Sequence, residues 1–154
     1  MTRTITADLA KKILIAFDKE IAISCIVRNE VNGWRKKNEV IKSVPDRKPV
    51  QPRPFPKGEW LIGTPVWRED PYLAPWYIPT DAWQFLPIWE LDKDGNYLKA
   101  TGNMVKDTAY GLHTSTSNTT QGCIKILSMT DLLWFVQYLK MYQDKGDIIK
   151  LIVV

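Results

Sequence analysis

The sequence predicts a mostly β protein, a β-rich sandwich or barrel-like fold with one helix near the C-terminus and minor helical pieces elsewhere. Three observations predict this class. Short apolar runs rich in β-branched residues recur between turn signals, and a single segment keeps clear helical spacing. The chain also has 154 residues and a hydrophobic fraction of 45%, which suits one globular domain with a full core. We therefore expect residues 1–154 to form a single domain.

The first predicted strands form a hairpin. Residues 13–17 are apolar and partly β-branched, Asp18 and Lys19 are turn residues, and residues 20–27 place alternate apolar side chains on one face. Cys25 falls on that apolar face, so we interpret it as an inert core cysteine.

The middle of the chain is less regular. Residues 28–53 are polar and basic and predict a long loop or short, interrupted strands, whereas residues 59–63 predict a strand after a Pro-Lys-Gly turn. Residues 66–90 are rich in aromatics and proline. These rings either cover a core or line a cleft that holds sugar rings or a peptide. Residues 92–96 predict a turn between two further strands, LPIWEL and YLKAT.

The one clear helix is predicted over residues 128–145. Ser128 or Thr130 can cap its start, and Gly146 ends it. Its buried face is predicted to hold Leu132, Phe135, Val136, Leu139 and Tyr142. Residues 148–154 then predict a final strand.

Composition argues against several classes of function. The net charge is only +4, and no Lys/Arg block is interleaved with aromatics, so nucleic-acid binding is disfavoured. One histidine and two cysteines make a zinc site or a disulfide framework improbable, and nothing calls for a metal or an organic cofactor. No apolar run approaches the roughly 20 residues of a membrane-spanning helix, and the first residues lack the pattern of a signal peptide.

The candidate chemistry lies in residues 110–126, YGLHTSTSNTTQGCIKI. This stretch holds His113, the only histidine, and Cys123, which follows Gly122. A thiol is a good nucleophile only as thiolate, and an imidazole beside it can take its proton. Glycine before the cysteine allows a sharp turn that exposes the sulfur and aims backbone N–H groups at an oxyanion.

The placement of this pair can be predicted from strand alternation. If His113 ends a strand and Cys123 begins the next one, Leu112 and Ile124 point into the core while His113 and Cys123 face a cleft. The intervening polar residues 114–121 are long enough to bring the two strands together. The same spacing also fits a hydrogen-bonded histidine near a structural cysteine, so both interpretations stay open on spacing alone.

The motif resembles that of a known family. Residues 120–125, Thr-Gln-Gly-Cys-Ile-Lys, resemble the Ser/Thr-His-Gly-Cys-apolar-Arg/Asn signature of the L,D-transpeptidase (YkuD-type) catalytic domain, in which a histidine stands upstream on a strand as His113 does. The opening hairpin, residues 56–60, the closing helix and the last strand also resemble the family's arrangement. The likeness loosely covers most of the chain, although the specific motif covers only residues 110–126.

The chain departs from the family pattern at several positions. Gln121 stands where the family usually has histidine, Thr114 where it has glycine, and Lys125 where arginine is commoner. The gap between His113 and Cys123 is also shorter than usual. Since this loop shapes the acceptor side of the cleft, the shorter gap predicts a substrate different from that of the typical enzyme.

The resemblance implies a cysteine enzyme that acts on the stem peptides of peptidoglycan. By this resemblance Cys123 is the nucleophile, His113 the general base, and a backbone carbonyl of the loop or Ser115 orients the imidazole. The N–H groups of Gly122 and Cys123 stabilise the oxyanion, and Thr120 braces the turn. The remaining expected substrate-binding residues, besides Ser115, are Lys125, Tyr110 and Trp76.

The implied product is a thioester acyl-enzyme, which an amine of a second stem resolves by cross-linking or water resolves by hydrolysis. The resemblance further implies action on the bacterial cell wall, in the periplasm or outside the cell. We also expect the protein to be a monomer. A phage lytic factor or a delivered antibacterial effector fits a small enzyme without a clear signal peptide. The alternative is a non-catalytic module with the same fold that binds cell wall or glycan, or serves as a phage structural protein.

Overall fold

The computed structural model describes residues 1–25, 50, 53–69, 75–94, 97–114 and 122–154, and within them lie eleven strands and one α-helix. The strands are β1 (Thr2–Asp8), β2 (Ile13–Ala16), β3 (Lys19–Ser24), β4 (Gly58–Leu61), β5 (Val66–Trp67), β6 (Trp76–Pro79), β7 (Gln84–Leu91), β8 (Tyr97–Asp107), β9 (Gly111–His113), β10 (Ile124–Ile126) and β11 (Ile148–Val153). The helix, α1, spans Met129–Asp144. The prediction of a mostly β fold with a C-terminal helix is confirmed.

Nine of these strands form one sheet, and the other two, β7 and β8, pair with each other. The order of the large sheet is β4-β11-β1-β2-β3-β10-β9-β6-β5. Two of its strand pairs are parallel, β1 with β11 and β9 with β10. Strands β1 and β11 lie at opposite ends of the chain, and residues 114–123 connect β9 to β10.

The large sheet curls until its two ends meet. Strand β4 lies at one end of the order and β6 lies next to the other end, yet Ile62 and Thr80, which follow these strands, form a bridge. The N–H of Gly63 also donates to the carbonyl of Pro79 at 2.9 Å. The segment 58–67 therefore crosses from one end of the sheet to the other, pairing first with β11 and then with β6.

Helix α1 packs on the concave side of this sheet, where it touches β6, β10 and β11. Ser128 caps the helix, because its hydroxyl accepts from the N–H of Asp131 at 3.3 Å, and Gly146 follows the last turn with a φ of +87°. Four side chains of α1 are fully or almost fully buried against the sheet: Leu132, Phe135, Val136 and Leu139. The predicted buried face is thus confirmed, with Tyr142 half-buried at its edge.

The opening hairpin is confirmed as β2 and β3, but its turn lies one residue earlier than predicted. Phe17 and Asp18 occupy the turn, with φ values of +53° and +63°, as a two-residue hairpin turn requires. The Phe17 ring belongs to neither strand. It stacks on Tyr142 of α1 with ring centroids 4.8 Å apart, so contact with the helix offsets the strain of a left-handed phenylalanine.

Strand β1 is not predicted by the sequence. The first strand is predicted only at residues 13–17, because threonines alternate with Ile5 and Ala7 in residues 2–8 and give a weak apolar pattern. The strand forms because it pairs with β11 at the far end of the chain. Asp147, before β11, accepts from Arg3 Nε at 2.7 Å, a contact that lowers the pKa of this carboxyl group.

We expect Phe135→Ala to lower the free energy of unfolding by about 3–5 kcal/mol, because the ring is fully buried between α1 and the sheet. Leu133→Ala on the same helix is the matched control, since Leu133 is 46% exposed and should change stability by less than about 0.5 kcal/mol. Urea unfolding followed by circular dichroism measures both. Equal losses in the two variants would contradict the packing described here.

Candidate active site

The candidate site is built on four neighbouring strands, β3, β10, β9 and β6, whose two faces differ in chemistry. On the inner face, Ile124 lies opposite Leu112, and Leu112 lies opposite Ile78. All three side chains are fully buried in the core. The prediction that Leu112 and Ile124 point inward is therefore confirmed.

The outer face of the same strands carries a polar row. Lys125 lies opposite Ser24 on one side and opposite His113 on the other. Continuing the β6–β9 register by one residue places Tyr77 opposite His113, and the two rings stack with centroids 6.4 Å apart and planes inclined by 28°. The row Ser24–Lys125–His113–Tyr77 is defined by register, because residues that face one another across a sheet share a face.

Cys123 lies on this same outer face, just before β10. Continuing the β9–β10 register by one residue places it opposite Gly111, diagonal to His113. Its side chain is partly exposed, and its thiol lies 3.6 Å from the carbonyl oxygen of Ala109. The structure thus brings the predicted pair, His113 and Cys123, to one face of two adjacent strands.

Tyr77 fills the space that Gly111 leaves open. A Cβ atom at Gly111 would collide with the phenol ring and hydroxyl of Tyr77. The hydroxyl occupies the position of that Cβ atom, opposite Cys123 in the β9–β10 register, and besides burial a side-chain hydrogen bond with Cys123 is among the causes that raise the pKa of the phenol. On another side, the guanidinium carbon of Arg68 lies 3.9 Å from the centre of the Tyr77 ring. Tyr77 therefore contacts both His113 and Cys123.

Gly122 is required by the turn that presents the thiol. Its φ is +119°, a conformation that side chains rarely adopt. A Cβ atom at this position would also lie 2.7 Å from the Arg53 carbonyl oxygen and 2.9 Å from Cε1 of Tyr110. The chain passes so close to these groups that only glycine fits before Cys123.

The electrostatics of the site favour a neutral imidazole. Burial is the main reason that the pKa of His113 lies below its ordinary value of 6.5, and the charges of Arg68 and Lys125 lower it further. The hydrogen bond to the Thr114 carbonyl acts in the opposite direction and raises it. Nδ1 lies 3.2 Å from the Thr114 carbonyl oxygen. Since a carbonyl can only accept, Nδ1 carries the hydrogen and Nε2 remains an acceptor.

The second cysteine, Cys25, is unlike the first. It is 6% exposed, belongs to the core, and its pKa is raised mainly by burial. The interpretation of Cys25 as a buried core residue agrees with this placement.

The other predicted site residues fall into three groups: outside the described residues, in the polar row, and in the core. Thr120 and Ser115, like Gln121, lie outside the described residues. Lys125 joins the polar row beside His113 and is only 7% exposed. Tyr110 is 1% exposed, and its ring lies beneath Gly122, so it supports the turn from inside the core.

Trp76 lies on the opposite face of β6 from Tyr77, because side chains alternate along a strand. It is partly buried against the core, with Trp67 edge-on at 5.3 Å and Lys140 of the helix over its ring at 4.8 Å. The aromatic side chain of β6 that faces Cys123 is Tyr77 instead, a residue that is not among the predicted site residues. The alternation of Trp76, Tyr77 and Ile78 was the signal that could have found it.

Within the described ranges, no group of three or more His, Cys, Asp and Glu residues is placed to hold a metal ion. The helix that the structure describes is also not long and apolar enough to cross a membrane.

Comparison of the chain with protein-family models, with curated proteins and with solved structures finds no match.

We expect Gly122→Ala to destabilise the protein by at least about 1–3 kcal/mol and to slow alkylation of Cys123, because a left-handed φ and two close contacts both oppose a Cβ atom. Gly102→Ala is the matched control. Gly102 also has a positive φ, +84°, but nothing lies within 4 Å of its Cβ position. Urea unfolding and the alkylation rate of Cys123 are measured on both variants, and the difference between them gives the cost of the two close contacts. A smaller loss of stability in Gly122→Ala than in Gly102→Ala would contradict the predicted steric cost.

Proposed function

We propose that the protein is an L,D-transpeptidase-like cysteine acyltransferase or peptidase that acts on the stem peptides of peptidoglycan at the bacterial cell wall. The observation that carries the proposal is the placement of a partly exposed Cys123, after the left-handed Gly122, on the same face as the neutral, buried His113. The motif in residues 120–125 supplies the substrate class by resemblance.

The reaction begins when the Cys123 thiol gives its proton to Nε2 of His113. The Thr114 carbonyl keeps the hydrogen of the imidazole on Nδ1, which leaves Nε2 free to accept. The sulfur then attacks the carbonyl carbon of the bond before the terminal D-alanine of a tetrapeptide stem. As the C–N bond breaks, His113 returns the proton to the leaving amine, and a thioester remains on Cys123.

The second half of the reaction resolves the thioester. An amine of a neighbouring stem, or water, loses a proton to His113 and attacks the thioester carbonyl carbon, and the sulfur leaves as thiolate. The first acceptor yields a cross-link and the second yields hydrolysis. Backbone N–H groups of Gly122 and Cys123 are the candidates for stabilising the oxyanion in both halves.

The first prediction of this proposal is covalent acylation by a carbapenem, whose strained β-lactam carbonyl accepts a nucleophilic sulfur. Intact-protein mass spectrometry should show one adduct on the wild type and none on Cys123→Ala, with His113→Ala strongly slowed. Cys25 is an internal control, because a core thiol with a raised pKa should stay unmodified in the native protein.

A proteolytic map of the adduct assigns the modified residue. An adduct on Cys25, or none on the folded wild type under conditions that acylate a control cysteine enzyme, would overturn the proposed nucleophile. Cleavage of purified muropeptides, compared between wild type and Cys123→Ala, then tests the substrate class.

The second prediction concerns pH. Because burial and the charges of Arg68 and Lys125 disfavour the imidazolium, His113 stays neutral to below pH 6.5, and the acylation rate should fall only as the pH drops further. Lys125→Met removes one of these charges from a buried position and should move the acid limb to higher pH. An acid limb centred above pH 6.5 in the wild type would contradict this electrostatic account.

Exposed aromatics favour the second candidate, a module that binds cell-wall glycan without catalysis. Trp67, Trp83 and Phe85 are 58%, 39% and 54% exposed. Trp83 and Phe85 contact each other edge-on at 5.3 Å. Sugar rings pack on such side chains. A pull-down with insoluble peptidoglycan separates the two functions: a binder loses retention on Trp83→Ala and keeps it after alkylation of Cys123.

A further inference from the structure

The contacts of Tyr77 differ from those of an ordinary packing residue. Its ring stacks on His113 with ring centroids 6.4 Å apart and lies 3.9 Å from the guanidinium carbon of Arg68, while its hydroxyl occupies the Cβ position of Gly111, directly opposite Cys123. Gly111 leaves the space through which the phenol reaches the sulfur. One side chain thus touches both members of the proposed catalytic pair.

We infer that Tyr77 is a catalytic residue of the proposed reaction, whose hydroxyl donates a hydrogen bond to the Cys123 sulfur and stabilises the thiolate before it attacks. The inference rests on the proposed function for the reaction, although the effect on the thiolate is independent of any substrate. A hydrogen bond to a charged acceptor is stronger than one to a neutral thiol, so the contact favours the ionised sulfur.

The direction of donation follows from the environment of the phenol. Burial raises the pKa of Tyr77 to about 12, with the nearby Cys123 and Asp107 acting in the same direction and Arg68 opposing them. The hydroxyl therefore keeps its proton throughout the working pH range and donates it in a hydrogen bond. The proton that leaves Cys123 goes to Nε2 of His113, and Tyr77 neither gains nor loses one.

The charged groups around the sulfur come from several elements. Arg68 lies after β5, Asp107 ends β8, His113 ends β9 and Lys125 lies in β10. Arg68 and Lys125 are cationic, whereas Asp107 is anionic. These groups determine the electrostatic potential at the sulfur, and they stay in place when one oxygen atom is removed from Tyr77.

The test is the pH dependence of Cys123 alkylation by iodoacetamide, measured by mass spectrometry of the peptides that hold each cysteine. Tyr77→Phe should raise the pH midpoint of the Cys123 reaction by about one unit, which is about a tenfold lower rate below the midpoint. Tyr97→Phe is the matched control, because it loses a hydroxyl that donates to the Val50 carbonyl at 2.7 Å, and its midpoint should equal that of the wild type.

A second variant covers the case in which Tyr77→Phe does not fold. Incorporation of 3-fluorotyrosine at Tyr77 keeps the shape of the ring and makes the hydroxyl a stronger donor, so the midpoint should fall. Unchanged midpoints in a folded Tyr77→Phe protein, or in the fluorinated protein, would overturn the inference. Circular dichroism and urea unfolding establish that each variant is folded.

The outcome also distinguishes this inference from the proposed function. If a carbapenem acylates Cys123 while Tyr77→Phe leaves the midpoint unchanged, the role of Tyr77 is wrong and the proposed function stands. If the midpoint shifts but neither carbapenems nor muropeptides react at Cys123, the hydroxyl stabilises a thiolate in a site that serves another reaction.

Discussion

The register of the parallel pair β9–β10 is the constraint on which the site depends. It sets Leu112 against Ile124 on the inner face and His113 against Lys125 on the outer face. A shift of one residue in either strand would turn the imidazole to the apolar inner face and a leucine to the polar outer face. The buried apolar row therefore holds the polar row in place, and the chemistry of the outer face depends on hydrophobic packing on the inner one.

Two glycines allow side chains and backbone to pack closely around Cys123 on the outer face. Gly122 takes a left-handed turn against the Arg53 carbonyl and the Tyr110 ring, which aims the next residue outward. Gly111 leaves the volume that the Tyr77 phenol occupies. The Cys123 thiol is thus held by a tightly packed turn on the N-terminal side and flanked by the Tyr77 phenol. Such support is what keeps a reactive group in one geometry.

The curled sheet explains why these groups come from distant parts of the chain. Strand β6 follows the segment that closes the sheet, whereas β10 leads into the helix that fills its concave side. Burial by this closed core lowers the pKa of His113 and raises that of Tyr77, so both side chains are neutral near pH 7. A neutral acceptor and a neutral donor beside one thiol are suited to forming a thiolate and holding it.

The sequence by itself determined the β-rich class, the opening hairpin and the capped helix, and it singled out His113 and Cys123 as the candidate pair, because turn residues, helical spacing and a glycine before a thiol are local signals. Tertiary structure decided the rest. Strand β1 exists through pairing with β11 at the other end of the chain, and Tyr77 joins the site through its register with β9. Neither partner can be identified from local spacing, because hydrogen bonds between strands do not depend on distance along the chain.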